Sequence, residues 1–235
     1  MAEKRKSGKA APKAKKAKAR PAAKREPAAG APSAAPVAKP AAAAPGIAEA
    51  SPLDGRPGTG ADTAVMVQHA HLGKINLRGD AGDHAFVDAV RQAAGAAPPT
   101  DANTVAIAGR NEILWLGPDE WLIVTPEGGQ GAMEAALGAA LAGQHVSVVD
   151  STDARTTIRL HGAHARDVLM KGCPLDLHPR AFGPGQCAQS IVAKADVLIH
   201  QRDDAPTYDI YVLCSFSRYL WDWLVDAAKE FSRTS

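Results

Sequence analysis

Apolar and polar positions along the chain predict that only the part beyond residue 63 folds. From Ala64 onward, segments of alternating apolar and polar residues are interleaved with segments of helical period. Strands are predicted at 71–77, 104–108, 112–116, 121–125, 145–149, 156–161, 188–193, 197–201 and 208–213. Tight turns join many of these strands, which favours antiparallel sheets.

Helices are predicted at 84–94, 132–142, 163–171 and from Ser215 onward. The first has Asp83 as its N-cap and Gly95 as its stop signal. The last is the most regular, and one side of it carries Phe216, Tyr219, Leu220, Trp223, Leu224, Ala227 and Phe231. Trp221 and Val225 fall on the opposite side, which indicates either a partner surface or an ordinary exposed tryptophan.

These elements predict an α+β fold. We expect two similar halves of antiparallel sheet, each with helices packed on one face, dividing near Gly143. The predicted organisation is a disordered tail at 1–62, a first half at 63–143 and a second half at 144–235.

Charge separates the tail from the rest. Residues 1–46 hold 12 Lys and Arg against two acids, whereas the remaining residues hold 15 against 23. Every aromatic residue lies at or beyond Phe86. A segment of Ala, Pro and Lys cannot bury enough apolar surface to offset its ordering entropy, so we expect disorder there. Its charge would attract nucleic acid, but without aromatic residues to stack on bases a solubilising extension is favoured.

Composition also bears on location. No apolar run approaches the roughly 20 residues that span a bilayer. No apolar segment follows the basic N-terminus, so a secretory signal is not expected. Three cysteines, Cys173, Cys187 and Cys214, are too few for a disulfide framework. The expected location is therefore the cytoplasm.

Candidate chemistry is sparse. The loop 128–131, rich in glycine, lies ahead of Asp150 as in a dinucleotide site, but its spacing is wrong. No Cys pair or His cluster has zinc spacing. Asp150 and Arg155 form part of a polar cluster after a strand, which could bind a small polar ligand or be a charged turn. We predict no catalytic, cofactor-binding or metal-binding residue in this chain.

Specific runs of residues carry more information than the periodicity. They are LWLGPDEWL at 114–122, KGCPLDL at 171–177, YDIYV at 208–212 and WDWL at 221–224. Together with INLRGD at 75–80, these runs resemble the gamma subunits of heterotetrameric sarcosine oxidases. The resemblance covers roughly residues 64–230, so the tail has no counterpart in it.

The resemblance implies a fold similar to the folate-binding domain of aminomethyltransferases. It implies a complex with alpha, beta and delta subunits that converts sarcosine to glycine, with hydrogen peroxide and either formaldehyde or methylene-tetrahydrofolate as the other products. FAD, FMN and NAD would belong to the alpha and beta chains, and zinc to delta. The family assigns gamma no catalytic residue that could be transferred to this chain.

A subunit of this kind acts through its contacts. The candidate subunit contacts are Pro118, Asp119, Glu120, Trp221 and Val225. Two other functions remain open at this stage. One is a stand-alone folate protein with a ligand cluster at Asp150 and Arg155, and the other is a nucleic-acid-binding protein that uses residues 1–46.

Overall fold

Two antiparallel sheets and four helices build the part of the chain that the structure describes. The structure is a computed structural model, and it describes residues 50–56, 64–69 and 71–232. The strands are β1 (Val65–Gln68), β2 (Gly73–Arg78), β3 (Val105–Ala108), β4 (Asn111–Gly117), β5 (Glu120–Thr125), β6 (Ser147–Asp150), β7 (Arg155–His161), β8 (Gln186–Val192), β9 (Ala195–Asp203) and β10 (Thr207–Leu213). The helices are α1 (His84–Ala94), α2 (Gln130–Ala140), α3 (Ala165–Met170) and α4 (Cys214–Ala228).

Each sheet has five strands. The first sheet has the order β3-β4-β5-β2-β6, and the second has the order β1-β7-β10-β9-β8. An isolated bridge between Thr104 and Gln186 links the two sheets beside β3 and β8. This architecture is the predicted α+β fold, with two antiparallel sheets and two helices for each.

The core divides into three layers of apolar side chains. One layer joins the outer face of the first sheet to α1 and α2, through residues such as Trp121 and Phe86. A second layer joins the outer face of the second sheet to α3 and α4. The third lies between the sheets and includes Leu122 and Tyr211. The sheets therefore face each other, with the helices outside.

The strands do not separate at Gly143. Strand β1 pairs with β7 of the second sheet, and β6 pairs with β2 of the first. Each short strand covers the otherwise open edge of a neighbour that comes from the other side of the division, which satisfies that neighbour's backbone groups. Strand β1 is not among the strands that the sequence predicts.

Helix α1 follows its sequence signals closely. The Asp83 carboxylate accepts a hydrogen bond from the Ala85 amide, and Gly95 ends the helix with φ of 91°. Phe86, Val90 and Ala94 are buried, as the period predicts. Helix α2 differs slightly, because it starts two residues early.

Residues 50–56 belong to the fold, although the predicted tail includes them. Leu53 is 1% exposed and lies in the same core layer as Trp221. The Pro52 carbonyl accepts a hydrogen bond from Arg218 Nε at 2.9 Å, and Arg56 pairs with Asp222. The other residues of the predicted tail, 1–49 and 57–62, lie outside the described residues.

Helix α4 is rotated by roughly a quarter turn from the predicted orientation. Its buried residues are Ser217, Leu220, Trp221, Leu224 and Ala228. Phe216 and Tyr219, predicted to be inward, are 42% and 39% exposed. The segment 50–56 explains the difference, because it bonds to Arg218 and Asp222 on the side of the helix that carries Trp221. The helix also begins at Cys214, so Ser215 is not its N-cap.

Candidate functional site

A cluster of four charged side chains lies between the two sheets. Glu112 comes from β4 of the first sheet, while Arg159, Arg202 and Asp209 come from β7, β9 and β10 of the second. In β4, β7 and β10 the adjacent residues, such as Ile113, Ile158 and Ile210, fill the outer core layers, so the charged side chains of these strands point away from the helices. We call these four residues the inter-sheet charge cluster.

The cluster is a continuous network of ion pairs. Arg159 donates from Nε and Nη2 to the two carboxylate oxygens of Asp209, at 2.7 and 2.8 Å. Arg202 donates from Nη1 to Asp209 at 2.8 Å, and its Nη2 lies 2.6 Å from Glu112 Oε1. Asp209 is completely buried, so its charge depends on both guanidinium groups.

The surroundings set the ionisation of Glu112. Burial opposes its charged form, but the interactions with His200 and Arg202 outweigh burial and lower its pKa to about 2. His200 Nδ1 lies 3.4 Å from Glu112 Oε2, and the histidine is 1% exposed. Burial also raises the pKa of the neighbouring Tyr211 well above its ordinary range. The carboxylate therefore stays charged, and the phenol neutral, at neutral pH.

Glu112, His200 and Asp209 also have the donor types that a divalent metal uses. Their donor atoms lie within 4.8 Å of one another, and all three residues are buried. However, the guanidinium of Arg202 bonds both carboxylates, and Arg159 bonds Asp209 as well. A metal ion would sit beside two fixed positive charges, which disfavours binding. The arrangement suits a structural link between the sheets.

A cavity opens beside the charge cluster. Its volume is about 370 Å³, and its lining includes Arg159, Arg202 and Glu112 together with Arg110 from the turn between β3 and β4. A second, open cavity lies along the inner face of the second sheet, where Arg155 and Leu213 contribute to its lining.

Asp150 and Arg155 occupy separate environments. Asp150 is exposed, and its carboxylate accepts a hydrogen bond from the Thr152 amide at 2.9 Å. Arg155 lines the open cavity described above. No hydrogen bond or ion pair joins the two in the described part of the chain. A ligand cluster at these residues stays a prediction.

The predicted contact residues differ in accessibility. Pro118 and Asp119 form the exposed turn between β4 and β5, while Glu120 accepts hydrogen bonds from Asn76 and Arg78 at 2.8 and 2.6 Å. Trp221 is only 3% exposed, and Val225 packs against the core. The turn is therefore available for a partner, whereas burial removes Trp221 from the surface. That these residues contact subunits stays a prediction.

Helix α4 and the strand before it present another apolar surface. Leu213, Phe216 and Tyr219 are each about two-fifths exposed and follow one another at intervals of three residues. We call these three residues the apolar strip. None of the helices within the described residues is both long and apolar enough to cross a membrane.

Comparison with known proteins shows to which family this chain belongs. The model of the sarcosine oxidase, gamma subunit family matches residues 78–230. This chain belongs to that family. The gamma subunit of sarcosine oxidase from Corynebacterium sp. (strain P-1) is 36% identical over 177 residues, which cover 74% of this chain and 85% of the relative. The gamma subunit from Arthrobacter sp. is also 36% identical, with the same coverage of both chains.

Solved structures agree with this family assignment. A chain of the heterotetrameric sarcosine oxidase from Corynebacterium sp. U-96, in complex with pyrrole 2-carboxylate, superposes with a TM-score of 0.71 and 29% identity. The match covers 80% of this chain and 98% of that one. The glycine cleavage system aminomethyltransferase T from Bartonella henselae gives a TM-score of 0.56 at 17% identity, over 69% of this chain and 45% of that one. The latter likeness concerns the fold alone, and it agrees with the fold that the sequence resemblance implies.

The charge cluster itself was missed by the sequence analysis. Its members are spread from residue 112 to residue 209, and no motif connects them. One local signal was present, since Asp209 lies within the apolar strand YDIYV and Glu112 directly precedes ILWL. A charged residue within a buried strand requires a partner.

Proposed function

We propose that this chain is the gamma subunit of a four-chain sarcosine oxidase and assembles with alpha, beta and delta subunits. The complex oxidises sarcosine to glycine, with release of hydrogen peroxide and either formaldehyde or methylene-tetrahydrofolate. The observation that carries the proposal is the match to a chain of a heterotetrameric sarcosine oxidase, because it covers 98% of that chain at a TM-score of 0.71.

In this proposal the redox chemistry belongs to the partner chains. The alpha and beta subunits hold FAD, FMN and NAD, and the delta subunit holds zinc. The charged side chains of this chain support a structural role, since both carboxylates of the charge cluster are bonded to arginines. The chain stabilises its partners by contact and fixes their relative positions.

The apolar strip is the contact surface that we assign to this role. Leu213, Phe216 and Tyr219 are each about two-fifths exposed, and aromatic residues are enriched where stable subunits meet. The occupant is another chain of the same complex. The exposed turn at Pro118 and Asp119 adds a second candidate contact.

The complex is assigned to the cytoplasm. The three free thiols, Cys173, Cys187 and Cys214, suit a reducing compartment.

Co-expression of the four chains tests the proposal. An affinity tag on this chain should recover material with flavin absorption that oxidises sarcosine and releases hydrogen peroxide. The tagged chain expressed alone should be colourless and inactive. The same preparation without the tag controls for adherent flavoprotein. Sarcosine oxidation by the isolated chain, or recovery without any flavin-bearing companion, would contradict the proposal.

A further inference from the structure

The cavity beside the charge cluster has the composition of a ligand site. Its volume of about 370 Å³ lies within the usual range for small-molecule pockets. Leu72, Val124 and Pro126 provide apolar lining, and Arg110, Arg159 and Arg202 provide positive charge. Such pockets combine an apolar wall with a few polar groups that fix the orientation of a ligand.

Two of these arginines are already held in position. Arg159 uses Nε and Nη2 on Asp209, and Arg202 uses Nη1 and Nη2 on Asp209 and Glu112. Arg159 Nη1 and Arg202 Nε donate to no described residue, so each guanidinium keeps unused N–H groups. Because the carboxylates immobilise both side chains, a ligand that binds them loses little additional side-chain entropy.

Arg110 differs because it is exposed and makes no hydrogen bond or ion pair with the described residues. It lies in a two-residue turn whose first member, Gly109, has φ of 62°, as glycine allows in this type of hairpin turn. The cavity lining has three arginines and one acid, Glu112. Asp209 does not line the cavity, but it pairs with Arg159 and Arg202, so the group as a whole keeps one net positive charge. The excess of one positive charge matches a ligand with one negative charge.

His69 also lines the cavity, and the charges of the neighbouring arginines and of Asp209 affect its pKa. Its pKa is lowered first by burial and then by the positive charge of Arg159, with a smaller contribution from Arg202. The opposing effect of Asp209 does not cancel these contributions.

We propose that this cavity binds a small monocarboxylate with an apolar body. Arg110, Arg159 and Arg202 bind the carboxylate, whose planar pair of oxygens fits guanidinium donors. Leu72, Val124 and Pro126 contact the apolar body. The site is separate from the apolar strip, so it adds a binding function to the proposed structural one.

Calorimetric titration of the full chain with benzoate tests the proposal, with benzamide as the neutral analogue of the same shape. Benzoate should bind at least about tenfold more tightly than benzamide, since hydrogen bonds between charged groups contribute more than neutral ones. Arg110→Gln should weaken benzoate binding about tenfold. Arg180→Gln is the matched control, because Arg180 is also exposed and its side chain has no partner among the described residues.

Each outcome decides the question. Equal binding of benzoate and benzamide would overturn the role of the arginines. Equal losses in the Arg110 and Arg180 variants would place the binding elsewhere, and no benzoate binding at millimolar concentration would overturn the site. Assembly of the four chains is measured separately, so a failure here is distinct from a failure of the proposed function.

Discussion

Glu112 of β4 and Arg202 of β9 form an ion pair at 2.6 Å across the space between the two sheets. The pair is shielded, since the Glu112 side chain is 11% exposed and that of Arg202 is 30% exposed. Arg202 also bonds Asp209, so one guanidinium connects an acid of each sheet. This connection holds the two helix-covered sheets against each other.

Glu112→Gln should lower the free energy of unfolding at pH 7 and remove part of its acid dependence. The pKa of Glu112 falls from 4.5 in the unfolded chain to about 2 in the folded chain. Between these two pH values the unfolded chain therefore binds a proton that the folded chain does not. The stabilisation is complete above about pH 4.5 and is lost as the pH falls towards about 2. Its size is on the order of 3 kcal/mol.

Urea unfolding from pH 7 to pH 3 measures this difference. The control is Glu134→Gln, which changes an exposed acid on α2. If the gap between wild type and Glu112→Gln stays constant over this range, the charge of Glu112 does not stabilise the fold.

Lys74 makes the stability of the chain depend on pH in the alkaline range. It is completely buried, its Nζ donates to the Leu72 carbonyl at 2.7 Å, and burial lowers its pKa to about 8. Between about pH 8 and 10.5 the unfolded chain therefore holds a proton that the folded chain has released. This contribution to stability rises with pH in that window, by on the order of 3 kcal/mol.

Lys74→Met should lack this rise, so the free energy of unfolding of the wild type should increase relative to that of the variant between pH 8 and 10. Urea unfolding across that window measures the gain. Lys194→Met is the control, because it alters an exposed lysine in the turn between β8 and β9. The pH dependence of its stability should match that of the wild type. Parallel profiles for wild type and Lys74→Met would show that Lys74 titrates as an ordinary lysine.

Leu53→Ala should destabilise the chain by about 2–4 kcal/mol, because Leu53 fills the core layer beside α4. Denaturant titration gives the change from the shift in midpoint. Val149→Ala, at a half-exposed position on β6, should change stability by no more than about 0.5 kcal/mol. Similar small effects from both changes would mean that residues 50–56 do not contribute to the core.

The double change Phe216→Ser and Tyr219→Ser should weaken assembly at least about tenfold while leaving the unfolding of the isolated chain unchanged. Removal of two exposed aromatic anchors affects the contact and not the core. Quantitative pull-down with the tagged chain measures the loss. Val67→Thr is the control, since Val67 is similarly exposed, at 40%, on β1. Undiminished recovery of partners with the double variant would exclude the apolar strip from the interface.

The sequence predicts the elements better than their arrangement. Local signals such as Asp83, Gly95 and the turn at Pro118 and Asp119 placed α1 and the β4–β5 hairpin, because these signals act within a few residues. The rotation of α4 depends on Leu53 and its neighbours, which come from more than 150 residues away in the chain. Periodicity within the helix cannot contain that information.

The same limit applies to the site. Glu112 lies in β4 and Arg202 in β9, and their pairing depends on how the two sheets face each other. The resemblance to the gamma subunit family came from long runs such as LWLGPDEWL, and the comparisons confirm it. Such runs identify a family without showing which charges meet.

Native mass spectrometry of the co-expressed chains tests the central claim most directly. The account predicts one flavin-loaded assembly that contains this 24.4 kDa chain together with three different companions. Omission of this chain should leave the companions incompletely assembled. A full-strength, flavin-loaded oxidase formed by the three companions alone, with this chain remaining unbound in solution, would contradict the account.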